Sequence, residues 1–124
     1  MIYSIYKITN NINNKCYIGY TSKEPKVRWS QHIINYNNIK VKFKLYLGMR
    51  EFGIENFTFD VIYQTKDRLH ALLEIEPKLI LEYDSVSNGY NSSYAGIKTT
   101  IGNIARWHNQ NCKILGEYMQ YSTQ

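Results

Sequence analysis

Cysteine is nearly missing from this chain: Cys16 and Cys112 are the only two in 124 residues. Neither belongs to a C-x-x-C pair or to a cysteine–histidine zinc spacing, so free thiols in a reducing compartment are the reading. Histidine is scarce too, and His70 and His108 have no partner at metal-ligand spacing. No apolar stretch approaches the length needed to cross a bilayer. The opening Met1–Lys7 has no basic segment followed by an apolar run, so no signal peptide is visible there. The expectation is an intracellular, cytoplasmic protein with no membrane partner.

What is present is the composition of a folded domain with one sizeable core, 44% hydrophobic and 20% charged. Fifteen Lys and Arg against ten Asp and Glu leave a formal charge of +5. That modestly favours a polyanionic partner. Twelve tyrosines supply flat amphipathic surface and phenolic oxygens for a polar ligand.

Local signals give an order of elements. Ile2–Thr9 and Lys15–Tyr20 are strand-like and flank Asn10-Asn11-Ile12-Asn13-Asn14, a run of turn formers. A β-hairpin follows, because Asn tolerates the left-handed backbone of tight connections. Pairing would put Tyr6 and Tyr17 on neighbouring strands. Ser22 is a candidate N-cap for a helix reaching about Tyr36, with Glu24 and Pro25 in its first turn and Val27, Ile33 and Ile34 as the buried stripe. Arg28 and His32, four apart, share one face. A second helix is expected over Phe43–Phe52, with Leu45, Leu47, Met49 and Phe52 apolar and Gly53 as its cap. Asn56–Tyr63 reads as a third strand with Phe57, Phe59 and Val61 on one face. Asp67–Glu82 reads as a third helix with Leu69, Leu72, Leu73, Leu79 and Ile80 inward. Pro77 must kink it or sit in the first turn of a restarted helix.

The motifs lie across this frame. Ser4-Ile5-Tyr6 and Tyr17-Ile18-Gly19 are followed by Arg28, His32, Glu76 and Gly89-Tyr90-Asn91. In this order they resemble the GIY-YIG nuclease family, with S-I-Y for the first motif, over Ile2 to about Asn91. The resemblance implies hydrolysis of phosphodiester bonds in DNA, leaving 5′-phosphate and 3′-hydroxyl ends. It implies that Glu76 holds a divalent cation, Mg²⁺ or Mn²⁺. The matching stretch is Glu76-Pro77-Lys78-Leu79-Ile80, with Leu79 where the family has an aromatic. Mg²⁺ is a hard ion that prefers carboxylate and water oxygens.

The residue types suit that chemistry. A guanidinium fork such as Arg28 fits phosphate oxygens and stays charged. His32 could share a proton with the attacking water or with a tyrosine. By resemblance, one of Tyr6 and Tyr17 activates water and the other orients the site, and either order is open. A phenol needs a nearby cation to act as a base. Gly19 would let the backbone pass close to the substrate. Asn91 would tie its loop to the active centre through its side-chain amide. Some homing members carry a second histidine after the first helix. Here Lys40, Lys42 and Lys44 occupy that stretch, and a phosphate-contact role is expected for them.

Each residue has a blander reading when taken singly. Tyrosines are good strand residues, Arg28 and His32 could be a solvated face, and Glu76 beside Lys78 could be surface charge. Glu74 competes with Glu76 but would face elsewhere. Arg106-Trp107-His108 resembles a basic–aromatic nucleic-acid contact, with core packing of Trp107 the favoured alternative.

The expected fold is α+β, a small, mainly antiparallel three-stranded sheet flanked by helices in the order β-β-α-α-β-α. Residues 1–92 form the nuclease-like domain. Residues 93–124, with a short helix over Ile101–Trp107, form a C-terminal extension that packs on it or enlarges it. The expected activity is a metal-dependent DNA endonuclease of phage or mobile-element type, working in the host cytoplasm if phage-encoded. No helix-turn-helix or zinc finger is there to read bases, and a homodimer would be the simplest route to a double-strand break. The alternatives are a catalytically idle nucleic-acid-binding module and a protein-interaction module with a tyrosine-lined groove.

Overall fold

The structure, a computed structural model, describes residues 1–92. The expected helix over Ile101–Trp107, the Arg106–His108 cluster and Cys112 lie outside the described residues. One antiparallel sheet runs in the order β2-β1-β3, built from β1 (Tyr3–Asn10), β2 (Cys16–Thr21) and β3 (Phe57–Thr65). Helices α1 (Pro25–Asn37) and α2 (Lys44–Phe52) lie between β2 and β3 in the chain. After β3 come α3 (Arg68–His70), a π turn (Ala71–Ile75) and α4 (Glu76–Glu82). This is the α+β arrangement expected from the sequence.

The asparagine run closes the hairpin by self-capping. Asn10 Oδ1 accepts from Ile12 N and Asn13 Oδ1 from Lys15 N. Asn14 takes the left-handed backbone at φ 62°. The resulting register sets Tyr6 opposite Gly19 and Ile8 opposite Tyr17. Directly opposed residues share a face, so the Tyr6 and Tyr17 side chains leave the sheet on the same side.

Central β1 is covered on both faces, with Ile5, Tyr6 and Ile8 all at 0% exposure. Tyr6 and Ile8 join Leu45, Tyr46 and Met49 of α2, with Trp29 and Tyr36 of α1 packed alongside. Ile5, Cys16 and Ile18 join Ala71 and Ile80 on the other face. Phe57, Phe59 and Val61 pair with Asn10, Ile8 and Tyr6 and so share a face as expected. A bulge then makes Ile62 the extra residue, since Ile5 pairs with Tyr63 but Tyr6 with Val61. Past it, Ile62 and Tyr63 pack in the opposite cluster.

The helices differ from expectation in instructive ways. Helix α1 has Glu24, not Ser22, at its N-cap position, and no side chain caps it. Pro25 in the first turn supplies the start, because its missing N–H would be unpaired there anyway. Its inner face is not the Val27–Ile33–Ile34 stripe. Val27 and Ile34 are exposed, Ile33 is half-buried, and His32 is buried. On α2, Leu47 points outward and Tyr46 inward. Gly53 caps α2 at φ 89°, a conformation side chains resist.

The third helical run begins with Asp67, whose Oδ1 accepts from His70 N. Leu69 is exposed rather than inward. Pro77 lies in the first turn of α4, just after the π turn. A proline has no N–H, and its ring would press on the carbonyl four residues back. Widening the preceding turn relieves that contact. The helical backbone therefore continues through Glu76 by way of the widened turn, with Glu76 N–H donating to Ala71 O, instead of breaking and starting afresh.

Candidate active site

Three elements converge on the Tyr6 hydroxyl. From α1, Arg28 Nε donates to it at 3.0 Å, and His32 Nε2 shares a hydrogen bond with it at 2.7 Å. The Tyr17 ring from β2 stands 6.2 Å away, centroid to centroid. Phe59 stacks on the other side at 4.7 Å. Tyr6 is fully buried, so its ring has one fixed position.

Gly19 makes that position available. A Cβ there would lie 2.3 Å from Tyr6 Cζ and 2.4 Å from its hydroxyl oxygen. The missing side chain makes room for the tyrosine ring. The register sets Gly19 directly opposite Tyr6, and the ring lies across the glycine.

Burial dominates the electrostatics. It drives the Tyr6 phenol well above the usual range, with Tyr17 adding to the effect and Arg28 opposing it. Tyr17 is raised by burial as well, against Arg28 and with help from Glu76. Burial also weakens the Arg28 charge, but the surrounding phenols Tyr6, Tyr17 and Tyr46 outweigh it and hold the guanidinium protonated. His32 is pushed down to about 3 by burial and by the Arg28 charge. It is therefore a neutral imidazole at any physiological pH, and each of its nitrogens takes one role only.

Glu76, at the start of α4, is 9% exposed. Among the described residues its carboxyl makes no hydrogen bond and no ion pair, and Tyr17 is its electrostatic neighbour. Burial alone pushes it up to about 7. Glu74 faces elsewhere, pairing with His70 Nδ1 at 2.8 Å. His70 also bonds the Tyr63 hydroxyl at 2.9 Å.

Asn91 clamps the last loop onto the free edge of β2. Its Oδ1 accepts from Ile18 N and its Nδ2 donates to Ile18 O, both at 2.9 Å. Tyr90 N adds a bond to Cys16 O. The side-chain amide thus stands in for a neighbouring strand at an edge that would otherwise be open. Lys44 reinforces the loop, donating to the carbonyls of Val86 at 2.9 Å and Asn91 at 3.3 Å. Lys40 and Lys42 are exposed on the connection between α1 and α2.

This architecture decides the family. A family model described as the GIY-YIG catalytic domain matches residues 2–91. The chain belongs to that family. No curated protein matches it. Among solved structures it is similar to the catalytic domain of the homing endonuclease I-TevI, at 27% identity and a TM-score of 0.62, over 73% of this chain and 98% of that one. It is also similar to an alanine-for-glutamate mutant of the I-TevI catalytic domain, at 26% identity and a TM-score of 0.66, over 75% and 95%.

Within this GIY-YIG domain, the sequence-based list of site residues omits Tyr46 and Asn35. Tyr46 bonds His32 Nδ1 at 2.8 Å, and Asn35 Nδ2 donates to Tyr46 at 3.1 Å. The available signals were helical spacing: Asn35 lies three residues after His32, and Tyr46 three before the buried Met49.

Proposed function

We propose that this chain is a divalent-metal-dependent DNA endonuclease of mobile-element or phage type. The observation that carries the reading is the convergence of Tyr6, Tyr17, Arg28 and His32 near a buried carboxyl that has no hydrogen-bond or ion-pair partner among the described residues. Such a carboxyl is costly to keep unless something completes it. Basic charge of +5 and the likeness to a homing endonuclease domain favour DNA as the substrate. The Asn-, Ile-, Lys- and Tyr-rich composition fits an AT-rich mobile genome.

Glu76 fits a metal site on chemical grounds. The described residues contain no cluster of three or more acidic, histidine or cysteine side chains. One carboxylate suits a hard cation that keeps most of its water, such as Mg²⁺ or Mn²⁺. When bound, the ion would offset charge on the phosphate and on the leaving oxygen. Arg28 presents its guanidinium to the scissile phosphate while its Nε holds Tyr6. Tyr6 and neutral His32 form the route for the proton of the attacking water. Tyr17 lies between that route and Glu76 and orients both. The products are 5′-phosphate and 3′-hydroxyl ends.

Lys40 and Lys42, which are exposed, would meet flanking phosphates. Residues 93–124 would extend the DNA-binding surface, and a homodimer would allow cleavage of both strands. A plasmid-nicking assay tests the reading. Wild type should relax supercoiled DNA with Mg²⁺ but not with a chelator, and Glu76→Ala and Arg28→Ala should not. DNA binding without cutting by all three proteins would establish an idle binding module instead.

A further inference from the structure

Tyr6 presents a difficulty for any role as a base. Its oxygen already accepts from Arg28 Nε, and its surroundings oppose a phenolate. A proton arriving there from water must be matched by one leaving. Among the described residues Tyr6 has two continuations: Tyr17, a buried phenol whose own pKa is raised, and His32, a neutral imidazole 1% exposed and sealed from solvent, which can pass a proton on through its second nitrogen. Both its nitrogens are committed, Nε2 to Tyr6 at 2.7 Å and Nδ1 to Tyr46 at 2.8 Å.

We propose that Tyr46 is the outer end of a proton relay running from Tyr6 through His32. Tyr46 lines a pocket of about 310 Å³ together with Tyr17, Phe43, Leu45, Tyr90 and Asn91. Asn35 Nδ2 donates to the Tyr46 oxygen from the side, leaving its own proton free to point at His32 or at the pocket. The chain of three groups has two matched states. In one, Tyr6 O–H donates to Nε2 while Nδ1–H donates to Tyr46. In the other, Tyr46 O–H donates to Nδ1 while Nε2–H donates to Tyr6. Passing between them moves one proton along the line and changes only the imidazole tautomer.

The step balances. As water oxygen bonds to phosphorus, its proton passes to Tyr6. The Tyr6 proton moves to His32 Nε2, the Nδ1 proton to Tyr46, and the Tyr46 proton to water in the pocket. The bond from phosphorus to the 3′ oxygen breaks, and that oxygen takes a proton from solvent. One proton enters at Tyr6 and one leaves at Tyr46, with no buried charge created. Tyr46 acts through His32 and is a positioning and relay residue. The idea rests on the endonuclease reading.

Tyr46→Phe removes the hydroxyl and keeps the ring in the core. Single-turnover cleavage with Mg²⁺ should slow about 100-fold, the low end of acid–base contributions, with DNA affinity unchanged within about twofold. A proton inventory in H₂O–D₂O mixtures should change from bowed, for several protons in flight, to linear. Asn35→Ala, measured alongside, should slow cleavage less and keep the bow, and it carries the test if Tyr46→Phe does not fold. Wild-type rates from Tyr46→Phe, or slow cleavage with an unchanged inventory, would overturn the relay. A linear inventory in wild type would overturn it too. Wild-type protein that does not cut at all removes the endonuclease reading itself, a different result from an active wild type matched by its variant.

Discussion

Gly19→Ala puts the packing argument to its sharpest test, because it adds one methyl where the Tyr6 ring already stands. Carbon atoms pack at about 3.5–4.0 Å, whereas the new Cβ would sit 2.3 Å from Tyr6 Cζ and 2.8 Å from Cε2. The ring must therefore retreat by about 1 Å. It has nowhere to go, with Phe59 stacked at 4.7 Å and the hydroxyl held by His32 at 2.7 Å and Arg28 at 3.0 Å. A shift of that size takes both hydrogen bonds out of range. Overpacking of this kind costs about 1–3 kcal/mol, and a 1 Å misplacement at a reacting group costs about 100-fold in rate. Thermal unfolding and single-turnover plasmid cleavage measure the two effects. A double-mutant cycle isolates the cause: in a Tyr6→Leu background, Gly19→Ala should cost little stability, since the obstructing ring end is gone. If Gly19→Ala melts with wild type and cuts within twofold of it, the tyrosine does not depend on the gap.

Three further outcomes are expected. Asn91→Ala should lower stability by about 2–4 kcal/mol by leaving the Ile18 N–H and C=O unpaired, and hydrogen exchange should speed up at Ile18. For the metal-free protein, Glu76 binds its proton more tightly folded, at about 7, than at the ordinary 4.5. Its contribution is therefore full below pH 4.5 and is lost as pH rises towards 7, by about 3 kcal/mol at most. Unfolding in chelator across that range should show the decline in wild type and not in Glu76→Gln, and Mg²⁺ should restore stability at pH 8 only in wild type. His32 runs the other way: its depressed value, about 3, costs stability as pH falls below 6.5, and its ¹⁵N NMR signals should show a neutral ring down to about pH 4.

The hairpin was legible because its signals are local: the asparagine run needs no distant partner to form its turn. The Asn91 tie to Ile18 joins residues 73 apart, and only the family resemblance pointed to that residue. Helix α1 misled for a physical reason. Its inner face carries the site, so His32, Arg28, Trp29 and Tyr36 occupy places where apolar counting wants Val27 and Ile34. Polar groups buried in a hydrogen-bonded network look like surface in a sequence. The closeness of Gly19 to Tyr6 was not legible, since only the register shows which ring lies over it. Tyr46 was invisible as a site residue because its partner, His32, lies on another helix.

The π turn from Ala71 to Ile75 separates two fixed points, the His70 ring held by Tyr63 and the Glu76 carboxyl beside Tyr17. Each residue in an ordinary helix advances the azimuth by roughly 100°. Deleting one residue from this segment would turn the Glu76 carboxyl away from Tyr17 if His70 kept its bond to Tyr63. Here the number of residues, more than their identity, aims the acidic group.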